Sequence, residues 1–208
     1  MKTIRYIIGL VGLALVISLS AAFVPDFKGK PWNGQMQSIP GKITAAFYDE
    51  GGEGVAFHNP ATKNNGREGI GLARNGRYEV GLSITRPGLD KLTDGTAMLF
   101  DKYYIGWIVP GEWLKYSVDV KTAGIYQVNL LATSAMNAAE ISLTVNDVDK
   151  TGSIIIETSG HVHTWRLYSN IAEFRLEKGP QVLQLKFIKE GFMNVQYLEF
   201  IPKPTGTI

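Results

Sequence analysis

Residues 103–120 read YYIGWIVPGEWLKYSVDV. In the second half Leu114, Tyr116, Val118 and Val120 share one parity, and Lys115, Ser117 and Asp119 share the other. A period of two puts the apolar set on one side of an extended chain, so the spacing predicts a strand with one buried face. Pro110-Gly111 predicts a turn just ahead of it, and Trp107 and Trp113 flank that turn.

The same kind of pattern recurs on both sides. Strands are predicted over 42–48, 55–58 and 78–85, the last with Val80, Leu82 and Ile84 on one face. Further ones follow over 124–133, 140–145, 154–156, 163–168, 172–176, 181–188 and 194–201. Glycine-rich or polar punctuation at 50–54, 147–152 and 178–180 predicts turns, and 59–75 and 86–96 read as long loops. Nothing beyond the N-terminal stretch keeps a helical period over three turns. Short strands at this spacing indicate an all-β sandwich or barrel. One domain over 41–202, with a tail at 203–208, accounts for the pattern.

The chain has 208 residues, 45% of them hydrophobic, enough for one sizeable core. Residues 1–22 carry the features of a signal peptide: Lys2 and Arg5, an apolar run over 7–17, then Ser20-Ala21-Ala22. The competing reading is an uncleaved anchor, because 6–24 is just long enough to span a bilayer. Both readings export the domain, to the periplasm, the cell surface or the medium. Residues 23–40 hold three prolines and no alternation, and read as a spacer. The formal charge is +2, and removing Lys2 and Arg5 leaves a nearly neutral domain, which gives no reason to expect a nucleic acid partner. With no cysteine there are no disulfides, no thiolate metal sites and no lipidated cysteine.

Sites for covalent chemistry are hard to find. There is no G-x-S-x-G elbow, and only His58, His161 and His163 could act as a base. His161 and His163, one residue apart, would share a face on a strand; they read either as part of a metal site or, preferably, as two exposed polar side chains. Glycosidases need paired carboxylates, and Glu50, Glu53, Asp90, Asp94 and Glu112 offer candidates without nominating a pair. Glycines at 51–54 and at 69 and 71 lack the strand-to-helix setting of a phosphate loop. Aromatics carry more weight. A ring exposed on a sandwich loop gives a flat apolar plate for the C–H face of a sugar. Tyr116, Phe174, Phe187 and Phe200 lie in alternating strands and are expected in the core.

Three segments together resemble the family 6 carbohydrate-binding modules. They are 39–58, IPGKITAAFYDEGGEGVAFH; 106–120, GWIVPGEWLKYSVDV, close to the family's GWxxxGEWxxYxVxV; and 191–200, GFMNVQYLEF, similar to its GFNLNWIEF ending. The resemblance implies a jelly-roll β-sandwich of two antiparallel sheets that binds polysaccharide or oligosaccharide without cleaving it, with glycan-degrading enzymes as partners in trans. It implies a loop-end site in which two aromatics clamp a sugar ring and an asparagine bonds its hydroxyls. Asn194 matches that asparagine, in the same ending as Phe192. Trp165 matches a structural tryptophan, while Val162 stands where the family stacks another. Tyr78 is the nearest candidate for the early-loop tyrosine, and His161 and His163 are candidates to replace part of the lost plate. Thr44, Ala45 and Ala46 occupy the acidic first-strand positions at which the family holds structural calcium, so no cofactor is expected by that route. The competing reading is a structural or protein-interaction sandwich that has lost sugar binding.

Overall fold

The computed structural model describes residues 26–61, 80–86, 88–96 and 103–204. The leader expected over 1–22 and Tyr78 lie outside the described residues. Fourteen strands follow in order: β1 (Gln37–Ile39), β2 (Gly41–Thr44), β3 (Phe57–His58), β4 (Leu82–Ile84), β5 (Lys91–Leu92), β6 (Tyr103–Ile105), β7 (Trp113–Val120), β8 (Gly124–Ser134), β9 (Ala139–Val145), β10 (Val148–Asp149), β11 (Ile154–Ile156), β12 (Thr164–Leu176), β13 (Gly179–Lys189) and β14 (Met193–Pro202).

They form two sheets. One runs β1-β7-β13-β9-β10, with β3 added on β7 and β11 on β9; the other runs β4-β6-β14-β8-β12-β5, with β2 added on β14. Pairing is antiparallel apart from two short parallel additions, β1 on β7 and β5 on β12. The result is the expected all-β sandwich.

The alternation in β7 sets the main core. Leu114, Tyr116, Val118 and Val120 are buried, while the intervening residues are partly exposed. They join a single cluster with Val128 and Leu130 of β8, Leu143 of β9, Leu185 and Phe187 of β13, and Val195 and Leu198 of β14. Truncating one such leucine to alanine typically costs about 2–5 kcal/mol, in lost transfer energy plus a cavity. Tyr116 keeps its hydroxyl satisfied in this core by donating to the Ala45 carbonyl at 3.1 Å.

The opposite parity of the second sheet builds a smaller cluster. Tyr104, Leu131, Trp165 and Tyr197 alternate in sequence with main-core residues, so they occupy the outer face of that sheet. Residues 88–96 cover this face, with β5 pairing onto Thr164 and Trp165 and Leu92 packing on the cluster.

Several elements differ from the sequence expectation. The strand expected over 42–48 stops at Thr44 and passes into a single 3-10 turn, Ala45–Phe47. The Gln37 side chain holds the main chain on both sides of this turn: Oε1 accepts from Thr44 N–H at 2.7 Å and Nε2 donates to the Phe47 carbonyl at 3.3 Å. The strand expected over 55–58 shrinks to Phe57–His58. The strands expected over 163–168 and 172–176 are one strand, β12, interrupted by a bulge between Tyr168 and Ala172. The spacer expected over 23–40 is partly recruited by the sheet: Gln37–Ile39 pairs with Val118–Val120, and Lys30 bridges Glu50.

Candidate functional site

Asn194 lies on β14 between Met193 and Val195, both of which face the main core, so its own side chain is on the outer face of the second sheet. Its neighbours across the sheet are fixed by register. Val195 pairs with Ile105, which sets Gly106 opposite Asn194, and Asn194 pairs with Thr133 on the other side. The backbone N–H of Asn194 donates to Thr133 Oγ1 at 3.1 Å, and its side-chain Nδ2 donates to the Val162 carbonyl at 2.9 Å. A β-carbon on Gly106 would stand 2.4 Å from Asn194 Oδ1, so only glycine leaves room for the amide in this position. Asn194 is 9% exposed, yet it borders an open cavity of about 520 Å3. The second amide hydrogen and the carbonyl oxygen are what it can offer a ligand.

Two aromatics stand at the same cavity, Trp107 at 39% exposure and Phe192 at 55%. Both have left-handed backbone, φ 53° in each case. Bulky residues rarely adopt this region, at a cost of about 1–3 kcal/mol each, and such strain concentrates at ligand sites. Trp107 immediately follows the glycine that makes room for Asn194, and Phe192 lies two residues before Asn194.

A buried carboxylate behind the cavity anchors the third wall. Asp90, 3% exposed, accepts from Trp165 Nε1–H at 2.8 Å and from His163 Nδ1–H at 2.9 Å through Oδ1, and from the Arg86 backbone N–H at 2.5 Å through Oδ2. Because that carboxylate can only accept, His163 carries its proton on Nδ1 and keeps Nε2 for other partners. His163 and Arg86 both line the cavity. So do Ser83 and Tyr104, paired across β4 and β6. Burial pushes the Tyr104 phenol above its usual range, so it remains a neutral donor and acceptor.

Of the residues expected at a site, the structure brings Asn194, His163 and Phe192 to one cavity. His161 stands beside it, with its ring 5.5 Å from that of His163 and its Nδ1 accepting the His163 backbone N–H at 3.1 Å. The histidines sit in the turn before β12, not on a strand, and among the described residues no group of three or more histidines or acids is placed to hold a metal. Val162, which replaces a stacking tryptophan in the resemblance, borders the cavity and holds the Asn194 amide through its carbonyl. Trp165 is fully buried. Thr44, Ala45 and Ala46 are also buried.

Sequence reasoning did not nominate Trp107, Arg86, Tyr104 or Ser83. Trp107 did leave a signal: it is an aromatic outside any alternating run, beside a glycine and ahead of a Pro-Gly turn. Glu112 of that turn is not at the cavity. It is 1% exposed, its Oε2 accepts the Val109 N–H at 3.2 Å, and burial pushes its carboxyl up to about 7, with the Glu53 charge adding to the rise and the Val109 bond opposing it.

A two-sheet sandwich with a ring-lined cavity at its loop end defines a class of ligand-binding module. The profile described as Carbohydrate binding module (family 6) matches residues 85–202, more than half of the chain, and the chain belongs to this family. No curated protein matches it. Among solved structures it is similar to a β-1,3-glucan binding family 6 module from Bacillus halodurans, at 15% identity and TM-score 0.52 over 80% of this chain and 98% of that one. A family 6 module subjected to binding sub-site dissection is similar at 13% identity and TM-score 0.51, covering 81% and 98%. A Clostridium stercorarium family 6 module in complex with cellobiose gives 19% identity and TM-score 0.49, covering 82% and 99%. At these identities the first two likenesses concern the fold.

Proposed function

We propose that the chain binds a polysaccharide or oligosaccharide without cleaving it, in the cavity bordered by Trp107, Phe192 and Asn194. The observation that carries this reading is the pair of exposed rings, both in left-handed backbone, at the cavity that the Asn194 amide borders. A sugar's C–H face packs on the rings, while Asn194, Tyr104 and His163 exchange hydrogen bonds with its hydroxyls. Trp107 and Phe192 thus stand in for the aromatic clamp whose expected position holds Val162. Each stacking contact contributes about 0.5–1.5 kcal/mol beyond burial.

Polar groups interleaved with the rings in a concave site favour a sugar over a protein partner, which an apolar flat patch without polar partners would suit. Membership of a family of carbohydrate-binding modules supports binding over cleavage. The leader-like residues 1–22 support an activity outside the cytoplasm, in the periplasm, on the surface or in the medium, beside glycan-degrading enzymes acting in trans.

Affinity electrophoresis on gels containing xylan, cellulose derivatives, β-1,3-glucan and acidic polysaccharides tests the reading. We expect retardation on at least one glycan, and a loss of about tenfold in affinity for Trp107→Ala and for Asn194→Ala. Absence of retardation on every gel, or unchanged affinity in both variants, would sink it.

A further inference from the structure

We propose that the glycan held here carries an anionic substituent, a uronate carboxylate or a sulfate ester, and that Arg86 is the residue that selects it; this inference rests on the sugar-binding reading above. Arg86 lines the same cavity as Trp107, Asn194 and Phe192. Its main chain is fixed at both ends: the N–H donates to Asp90 Oδ2 at 2.5 Å, and its carbonyl accepts the N–H groups of Leu89 and Asp90, both at 3.0 Å. The base of the arm is therefore anchored to Trp165 through Asp90.

The guanidinium has no acid of its own among the described residues. Among the described residues no carboxylate lies within ion-pairing distance of Arg86. Asp90, the nearest acid in the sequence, is occupied by three N–H donors and its side chain is 1% exposed. Glu190 also borders the cavity, on the separate turn that carries Phe192, and does not pair with Arg86. Positive and negative charge are thus held apart within one cavity.

Neutral sugars need only the amide, phenol and imidazole groups already present. A planar fork of five N–H donors adds specific recognition of a planar carboxylate or of a sulfate, whose oxygens it can meet in pairs. Glu190 repels the same anion, so the charged substituent is directed to the Arg86 wall while the ring lies on the aromatics. The two lining charges cancel at a distance, so the preference is local and is not a long-range attraction.

Titration calorimetry on the purified chain decides this with matched probes: a glucuronate-bearing xylo-oligosaccharide against its unsubstituted parent, a galacturonate oligomer against its methyl ester, and a sulfated galactan oligomer against its desulfated form. In at least one pair the charged member binds about tenfold tighter or more, and Arg86→Gln reduces that ratio to within about twofold while Arg86→Lys keeps part of it. A preference in the first two pairs identifies a uronate, and one in the third a sulfate. Equal or tighter binding of the neutral member in every pair overturns the inference and leaves the sugar-binding reading standing, as does a charge preference that survives Arg86→Gln. No binding of any probe, charged or neutral, overturns the inference, and the gel panel above then decides the sugar-binding reading separately.

Discussion

Asn194 Oδ1 lies 2.4 Å from the point where a β-carbon on Gly106 would stand, and the register of β6 and β14 places these two residues opposite each other. No ordinary contact allows such an approach, so the asparagine's position depends on the missing side chain. Gly106→Ala is expected to turn the amide away, because the obstructing atom is the tip of a side chain and can move. The Val162 hydrogen bond then goes with it, at about 1 kcal/mol of stability, and glycan affinity falls about tenfold. Gly81→Ala is the contrast. Its β-carbon would meet the Gly106 carbonyl oxygen at 2.2 Å, and backbone cannot yield in the same way. Denaturant unfolding paired with calorimetry checks both: the first variant stays folded and binds poorly, the second loses several times more stability.

Phe192 has φ 53° and is 55% exposed, so the strain at this position is repaid by little burial. Asparagine tolerates left-handed backbone better than any other residue with a side chain. Phe192→Asn is therefore expected to leave stability unchanged or raise it by up to about 1 kcal/mol, while affinity for the glycan drops about tenfold. Thermal unfolding and titration calorimetry on the same preparation separate the two effects. A clear fall in stability would mean that the ring serves packing and not a ligand.

What could be read in the sequence was local. The β7 strand was legible because Leu114, Tyr116, Val118 and Val120 repeat with the period of the pleat, and the burial pattern follows it residue by residue. The continuity of β12 was not, because its bulge is stabilised from a distance: Asn129 Oδ1 accepts the Asn170 N–H at 2.9 Å, across 41 positions. The site divides in the same way. Asn194 and Phe192 were found through the C-terminal motif in which they sit. Trp107 was passed over because its exposure depends on a left-handed backbone that no periodicity reports. Arg86 was passed over because its place depends on an Asp90–Trp165 bond spanning 75 positions.

Asp90 ties Arg86 to β12, accepting from Trp165, His163 and the Arg86 backbone while nearly sealed from water. Removing the acceptor strands a buried indole N–H, and unsatisfied buried donors cost about 1–3 kcal/mol each. Asp90→Ala is expected to lower stability by about 2–4 kcal/mol and to loosen the cavity wall. Asp90→Asn keeps the shape and one acceptor oxygen but sets an amide N–H against one of the three donors, so its loss is smaller. With Trp32, Trp107 and Trp113 replaced by phenylalanine, Trp165 fluorescence provides the local readout: a red shift in the folded Asp90→Ala protein, and little change in Asp90→Asn.

Glu112 makes the stability of the fold depend on pH. Its carboxyl is raised from the ordinary 4.5 to about 7, chiefly by burial, and among the described residues Oε1 has no hydrogen-bond partner. Between pH 4.5 and 7 the folded chain therefore holds a proton that the unfolded chain has released. Stability then falls as pH rises through this window, and the contribution is constant above it. A tenfold difference in proton affinity between folded and unfolded chain is worth about 1.4 kcal/mol, so the loss across the window is about 1–3 kcal/mol. Glutamine has the shape of the protonated acid and no proton to lose. The stability difference between Glu112→Gln and the parent chain, measured by urea unfolding, should be near zero at about pH 4.5 and grow in favour of glutamine up to about pH 7.5. Because the comparison cancels every other titrating group, a difference that stays flat from about pH 4.5 to 8 would show that Glu112 is ionised in the fold throughout.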